Sequence, residues 1–149
     1  MEIQHCNNIK ENVSKGLFFL SIILFLISLF QPAFFIDKKN ADAYSNSLFL
    51  FCFGWMSFLG GAFIPFIIWL ANPLYLVSII LIYKNFKIGI ITLTMSVILS
   101  VAFANLDTIL SSESGAVSKI TELGAGFYLW MASFIVLLIC SIFKAIKPN

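Results

Sequence analysis

The residue types that most often perform chemistry are scarce in this sequence and stand far apart. The only histidine, His5, lies in a polar N-terminal segment, with no second histidine and no group of carboxylates nearby. Because a protein metal site draws on several such ligands, we do not expect one. The sequence also contains no glycine-rich phosphate loop and no G-x-S-x-G motif, the signatures of nucleotide binding and of serine hydrolases. We therefore expect no enzymatic activity and no cofactor.

The charged residues and cysteines argue against further classes of protein. All nine basic residues are lysines, so the bidentate clamp that arginine forms on phosphate is absent. A net charge of +2 without a basic cluster argues against nucleic-acid binding. Cys6, Cys52 and Cys140 form no C-x-x-C pair, and an odd number gives no disulfide framework. The acidic residues lie between the apolar segments, whereas a proton-coupled pump usually needs an acid within the membrane.

Aromatic and amide residues remain as candidates for a binding site. With the topology derived below, they fall in the outer half of the protein or near its middle: Trp55, Trp69, Asn72, Asn105, Tyr128 and Trp130. One interpretation is an aromatic belt at the membrane surface together with loop amides. The other is an outward-facing groove with irregular backbone, as discontinuous helices form in transporters.

Asn72 has a structural role open to it as well. The next residue, Pro73, has no backbone N–H and therefore frees a carbonyl near Trp69. The Asn72 amide could bind that carbonyl or a neighbouring helix. We expect this structural role in preference to ligand binding.

The elements that must position these residues are membrane helices. Apolar residues make up 60% of the 149-residue chain and charged residues 11%, against about 45–50% and about 25% in soluble domains. A soluble fold could not bury so much apolar surface, so we predict one domain within a lipid bilayer. Its fold class is an all-α integral membrane protein, a four-helix bundle with spans at about 17–36, 62–83, 88–106 and 123–143.

The distribution of lysines predicts the orientation. If each apolar block crosses once and the N-terminus is cytoplasmic, six lysines lie inside and three outside. This excess agrees with the positive-inside rule. We therefore expect a multi-pass protein of a bacterial inner membrane, with both termini and the Lys84–Lys87 turn in the cytoplasm.

The second apolar block, Leu48–Tyr83, is too long for a single crossing. Its 36 residues would form a helix of about 54 Å, whereas the hydrocarbon core is about 30 Å thick. We expect residues 48–59 to lie at the interface or to re-enter, with a turn at Gly60-Gly61 and a crossing from about Ala62. Paired glycines adopt backbone angles that bulkier residues disfavour. The alternative is one long tilted helix, kinked at its two prolines.

Small residues recur along two of the predicted helices. Thr92, Ser96, Ser100 and Ala104 are four residues apart, and Gly126, Ser133 and Cys140 are seven apart. Small side chains let membrane helices approach closely. We interpret both stripes as seams within the protein and not as pore linings.

Two short blocks carry a resemblance to known sequences. They are a W-x-A-N-P block at residues 69–73 and a G-x-G-x-aromatic-L-W block at residues 124–130. They resemble a group of small, uncharacterised bacterial multi-spanning inner-membrane proteins. The resemblance implies a bacterial inner-membrane location and no particular activity.

These observations together predict a non-enzymatic inner-membrane protein that acts by binding. Its ligand would be a membrane-protein partner or a lipid-like molecule at the outer-leaflet side, as for accessory or immunity-type proteins. The alternative is a subunit of an oligomeric channel or small transporter, because four helices alone seldom enclose a conduction path. The expected partners are the lipid bilayer and a second membrane protein or a second copy of the chain, with no nucleic acid.

Overall fold

The computed structural model describes residues 2–37, 45–110 and 117–145, and their side chains from residue 11 onward except that of residue 110. Three of the lysines counted in the orientation argument lie outside these ranges: Lys38, Lys39 and Lys147. Six α-helices, a 3-10 helix and three strands follow one another along the described chain. They are α1 (Glu2–Ser28), β1 (Phe34–Ile36), α2 (Ser47–Phe53), the 3-10 helix (Gly54–Phe58), α3 (Phe63–Trp69), α4 (Ala71–Lys84), α5 (Phe86–Ala104), β2 (Thr108–Leu110), β3 (Val117–Leu123) and α6 (Ala125–Ala145).

Four helical segments are long and apolar enough to cross a membrane. They are Glu11–Ser28 within α1, Phe63–Lys84 formed by α3 and α4, and the whole of α5 and α6. Most of their residues are not buried inside the protein, so many of their apolar side chains face outward. A mainly helical fold with four such helices fits a multi-pass membrane protein.

Helix α1 packs against α6 in the opposite direction, and α4 and α5 form a helical hairpin. Ser14 lies 3.3 Å from Cys140, and Ser21 donates a hydrogen bond of 2.8 Å to the Ser133 carbonyl. Tyr83, near the end of α4, contacts Phe18 of α1 and Lys144 of α6. The start of α1, the α4–α5 turn and the end of α6 therefore share one end of the bundle. We call this the lysine end and the opposite end the sheet end.

The seam between α1 and α6 consists of small residues. Ser133 and Cys140 of α6 are almost completely buried, which confirms that their stripe is a seam within the protein. On α1 the facing residues are serines, seven apart: Ser14, Ser21 and Ser28, all buried. Small residues on both helices permit close backbone approach. The stripe on α5 is a seam only in part, because Ser96 and Ser100 are buried and Ala104 is exposed.

A three-stranded antiparallel sheet closes the sheet end, and the all-α prediction did not include it. The strand order is β1-β3-β2, with Phe34 opposite Leu123 and Thr108 opposite Lys119. The predicted spans 17–36 and 123–143 consequently include strand residues, since α1 ends at Ser28 and α6 begins at Ala125. Pro32 follows α1 and disfavours a helical conformation in the preceding residue, and the aromatic and β-branched residues after it suit a strand.

The second apolar block is broken where the sequence predicts the turn. Helix α2 is followed directly by the 3-10 helix, which ends at Phe58; the chain then turns through Gly60-Gly61, and α3 begins at Phe63. Gly61 has φ = 77°, a left-handed conformation that costs little only for glycine. The alternative of one continuous helix across Leu48–Tyr83 is therefore wrong. We call Ser47–Phe58 the arm.

The core lies where α1, α4 and α6 meet. Phe25, Tyr75 and Phe134 are buried and their rings contact one another, with Phe25 and Tyr75 centroids 5.0 Å apart. The Tyr75 hydroxyl forms a 2.7 Å hydrogen bond with Ser21, so a polar atom at this depth is satisfied within the bundle.

Candidate functional site

A cavity of about 510 Å³ lies at the sheet end, within the range of about 300–1,000 Å³ that is usual for ligand sites. We call it the pocket. Its walls are the end of α1, the arm, α3, the start of α4, the start of α6 and the sheet. The pocket exists because the second apolar block is broken, which leaves the arm beside the bundle and not within a continuous helix.

The inner end of the pocket contains a bridge centred on Asn72. Pro73 has no N–H to give to the Trp69 carbonyl, and the Asn72 amide group donates to this carbonyl at 3.1 Å. The Asn72 side-chain oxygen accepts a hydrogen bond of 2.8 Å from the Trp130 indole on α6. The structural role predicted for Asn72 is confirmed, and the residue also ties α4 to α6.

Trp69 attaches the arm to the bundle. Its indole N–H donates to the Phe51 carbonyl of α2 at 2.9 Å. Its ring also lies directly against Gly54, where any added Cβ atom would collide with it. Phe51 in turn contacts Phe25 of the core, with ring centroids 5.7 Å apart. The arm is therefore held across the pocket by one indole and one core ring contact.

The sheet supplies walls that the sequence did not predict. Phe34 of β1 is only 1% exposed, and with Ile109 of β2 it lines the pocket. Phe34 packs on Phe103 of α5, and Phe103 packs on Phe127 of α6, with centroids 5.7 and 5.5 Å apart. In the structure Phe34 and Ile36 are buried and Phe35 is exposed, the alternation of a strand, but all three residues are apolar, so the sequence carries no polar–apolar alternation that would have predicted these walls.

The polar side chains of the pocket are already hydrogen-bonded inside the protein. Three serines donate to backbone carbonyls at 2.6 Å: Ser28 to Phe25, Ser47 to Gln31 and Ser57 to Gly54. Asn72 and both lining tryptophans are engaged in the bonds described above. None of the lining residues, all of which belong to the described chain, is charged. The pocket therefore presents an apolar surface.

The structure brings together three of the six candidate residues. Trp69, Asn72 and Trp130 line the pocket, whereas Trp55, Asn105 and Tyr128 do not. Trp55 and Tyr128 are 45% and 54% exposed, as expected of an aromatic belt. Asn105 ends α5, and its side chain donates to the Val101 carbonyl at 2.7 Å. The groove and belt interpretations each account for part of the set.

Within the described ranges, no three His, Cys, Asp or Glu side chains lie close enough together to hold a metal ion. No family model, curated protein or solved structure matches the chain. The pocket and its chemistry are therefore the basis on which a function can be inferred.

Proposed function

We propose that this protein is a non-enzymatic membrane protein that binds a lipid-like ligand in the pocket. We further propose that it resides in a bacterial inner membrane, with the sheet end at the outer leaflet and both termini in the cytoplasm. The observation that supports binding of such a ligand is an apolar cavity whose polar side chains are already paired.

The hydrogen bonds of the pocket decide which ligand chemistry it favours. A polar solute would lose its hydrogen bonds to water on binding and would find few side-chain partners in exchange, because the donors of the lining serines and tryptophans are engaged within the protein; this loss is costly. An apolar ligand has no hydrogen bonds to water to lose on binding. The lining serines donate to backbone carbonyls, so they are not positioned for proton transfer, which favours binding over catalysis.

The charges of the two ends support the proposed orientation. Lys84, Lys87 and Lys144 lie at the lysine end, and Lys144 stacks 4.3 Å from the Tyr83 ring centre. The sheet end has both signs of charge, with Asp107 beside β2 and Lys119 and Glu122 on β3. Lysines concentrate on the cytoplasmic side of membrane proteins, so we assign the lysine end to the cytoplasm.

Purification of the full chain in mild detergent, with mass spectrometry of whatever is retained, tests the proposal. We expect a lipid-like molecule in stoichiometric amount. Ala62 lines the pocket and has a negative φ of −87°, so Ala62→Phe needs no left-handed backbone and should fill the space and abolish retention. Ala102 is exposed on α5 and does not line the pocket, so Ala102→Phe is the matched control and should retain the ligand.

Two outcomes would contradict the proposal. Equal lipid retention by the wild type and both variants would mean that lipid adheres to the outer surface alone. Stoichiometric recovery of a protein without lipid would favour the membrane-protein partner as the ligand.

A further inference from the structure

We infer that the pocket takes the hydrocarbon chain of a bilayer lipid and leaves the headgroup outside, so that binding is indifferent to the headgroup. This inference rests on the proposed function and specifies which part of the ligand the pocket contacts. Three features of the described structure support it: the exposure of the arm, the pairing of the Asn72 bridge, and the position of the lysines.

The arm places the pocket next to the bilayer. Phe49, Phe53 and Met56 line the pocket, yet each is between 46% and 50% exposed. No residue of the arm is buried. Side chains that face both a cavity and the surface form a thin wall, and in a membrane protein apolar surface of this kind contacts acyl chains. A chain can therefore enter sideways from the bilayer, past the arm.

The inner end of the pocket offers few polar groups to a headgroup. Each polar atom of the Asn72 side chain already has a partner, and the Trp130 N–H is used by that side chain. Around these groups lie aromatic rings, with Trp130 4.9 Å from Phe134 and 6.1 Å from Phe127. The inner end is suited to methylene and methyl groups.

Phosphate recognition would need a positive charge near the pocket. Of the lysines with described side chains, only Lys119 lies at the sheet end, and it does not line the pocket. The others lie toward the lysine end, where Lys15 pairs with Glu11 at 2.8 Å. Among the residues that the structure describes, a headgroup outside the pocket therefore meets no cationic clamp. Because the bilayer is as apolar as the pocket, selectivity depends on how the chain packs.

Photoactivatable phospholipids in nanodiscs holding the full chain test this inference. Three probes carry a diazirine in mid-chain, with choline, ethanolamine or glycerol headgroups, and a fourth carries the diazirine on the headgroup. We expect all three chain probes to label pocket residues such as Phe53 and Phe127, with yields within about twofold, because no headgroup contact discriminates between them. The headgroup probe should label neither residue. Ala62→Phe should lower the labelling several-fold, and Ala102→Phe should leave it unchanged.

The remaining outcomes separate failure of the inference from failure of the proposed function. Pocket labelling by one headgroup class alone, or by the headgroup probe, would overturn headgroup indifference and leave lipid binding in place. Absence of pocket labelling with every probe would overturn both.

Discussion

Replacement of Asn72 by leucine should destabilise the protein by removing the bridge between α4 and α6. The change deletes the 3.1 Å bond to the Trp69 carbonyl and the 2.8 Å bond from the Trp130 indole. Side-chain hydrogen bonds within membrane proteins average about 0.6 kcal/mol, with a maximum of about 1.7. For two bonds we expect Asn72→Leu to lower the free energy of unfolding by about 1–3 kcal/mol.

A second substitution separates the two bonds. Pro73→Ala restores a backbone N–H that can bond to the Trp69 carbonyl, four residues earlier, as in a regular helix. In the Pro73→Ala background the carbonyl no longer depends on the amide. Asn72→Leu should then cost about 0.6–1.7 kcal/mol less, the contribution of one bond.

Reversible unfolding by SDS in mixed micelles, followed by circular dichroism, measures these free energies. Asn105→Leu is the matched control, since Asn105 donates a single bond to the Val101 carbonyl from an exposed position; its cost should be smaller. If Asn72→Leu costs the same free energy in the wild type and in Pro73→Ala, then Asn72 does not stabilise the protein by bonding to the Trp69 carbonyl that Pro73 leaves free.

Further substitutions probe the turn, the core and the seam with the same unfolding measurement. Gly61→Val should cost about 1–2 kcal/mol because of the positive φ, and Gly60→Val, its control, should cost less; equal costs would contradict the strained turn. Tyr75→Phe should cost about 0.6 kcal/mol through loss of the Ser21 bond, and an unchanged stability would mean that this bond contributes nothing. Ser133→Leu should cost about 1–3 kcal/mol by forcing α1 and α6 apart, so an unaltered unfolding midpoint would place Ser133 on the lipid face.

Two features of the structure could be predicted from the sequence, one from local backbone chemistry and one from the length of an apolar block. The bond from Asn72 to the Trp69 carbonyl follows from Pro73, four residues from the carbonyl it frees. The break at Gly60-Gly61 follows from the length of the apolar block. By contrast, the Trp130 partner of Asn72 is 58 residues away, and no local rule identifies it.

The three strands and the serine stripe on α1 were not predicted from the sequence, for different reasons. The strands lie beside or within apolar blocks, and over three residues, as in Phe34–Ile36, hydropathy does not separate a strand from the end of a helix. The stripe of Ser14, Ser21 and Ser28, by contrast, can be found in the sequence, because its spacing of seven residues matches that of Gly126, Ser133 and Cys140. Matching spacings on two helices indicate a seam, and the contacts of Ser14 with Cys140 and Ser21 with Ser133 show that the two helices run antiparallel.

The proposed function and the further inference both require a lipid hydrocarbon chain in the pocket. The most direct measurement is a crystal structure grown from a lipid phase that contains a phospholipid brominated in mid-chain, with anomalous scattering to locate the bromine. We expect a bromine peak inside the pocket, between the arm and the rings of Phe127 and Trp130. Bromine found only around the outside of the bundle, with the pocket empty or filled by ordered water, would contradict it.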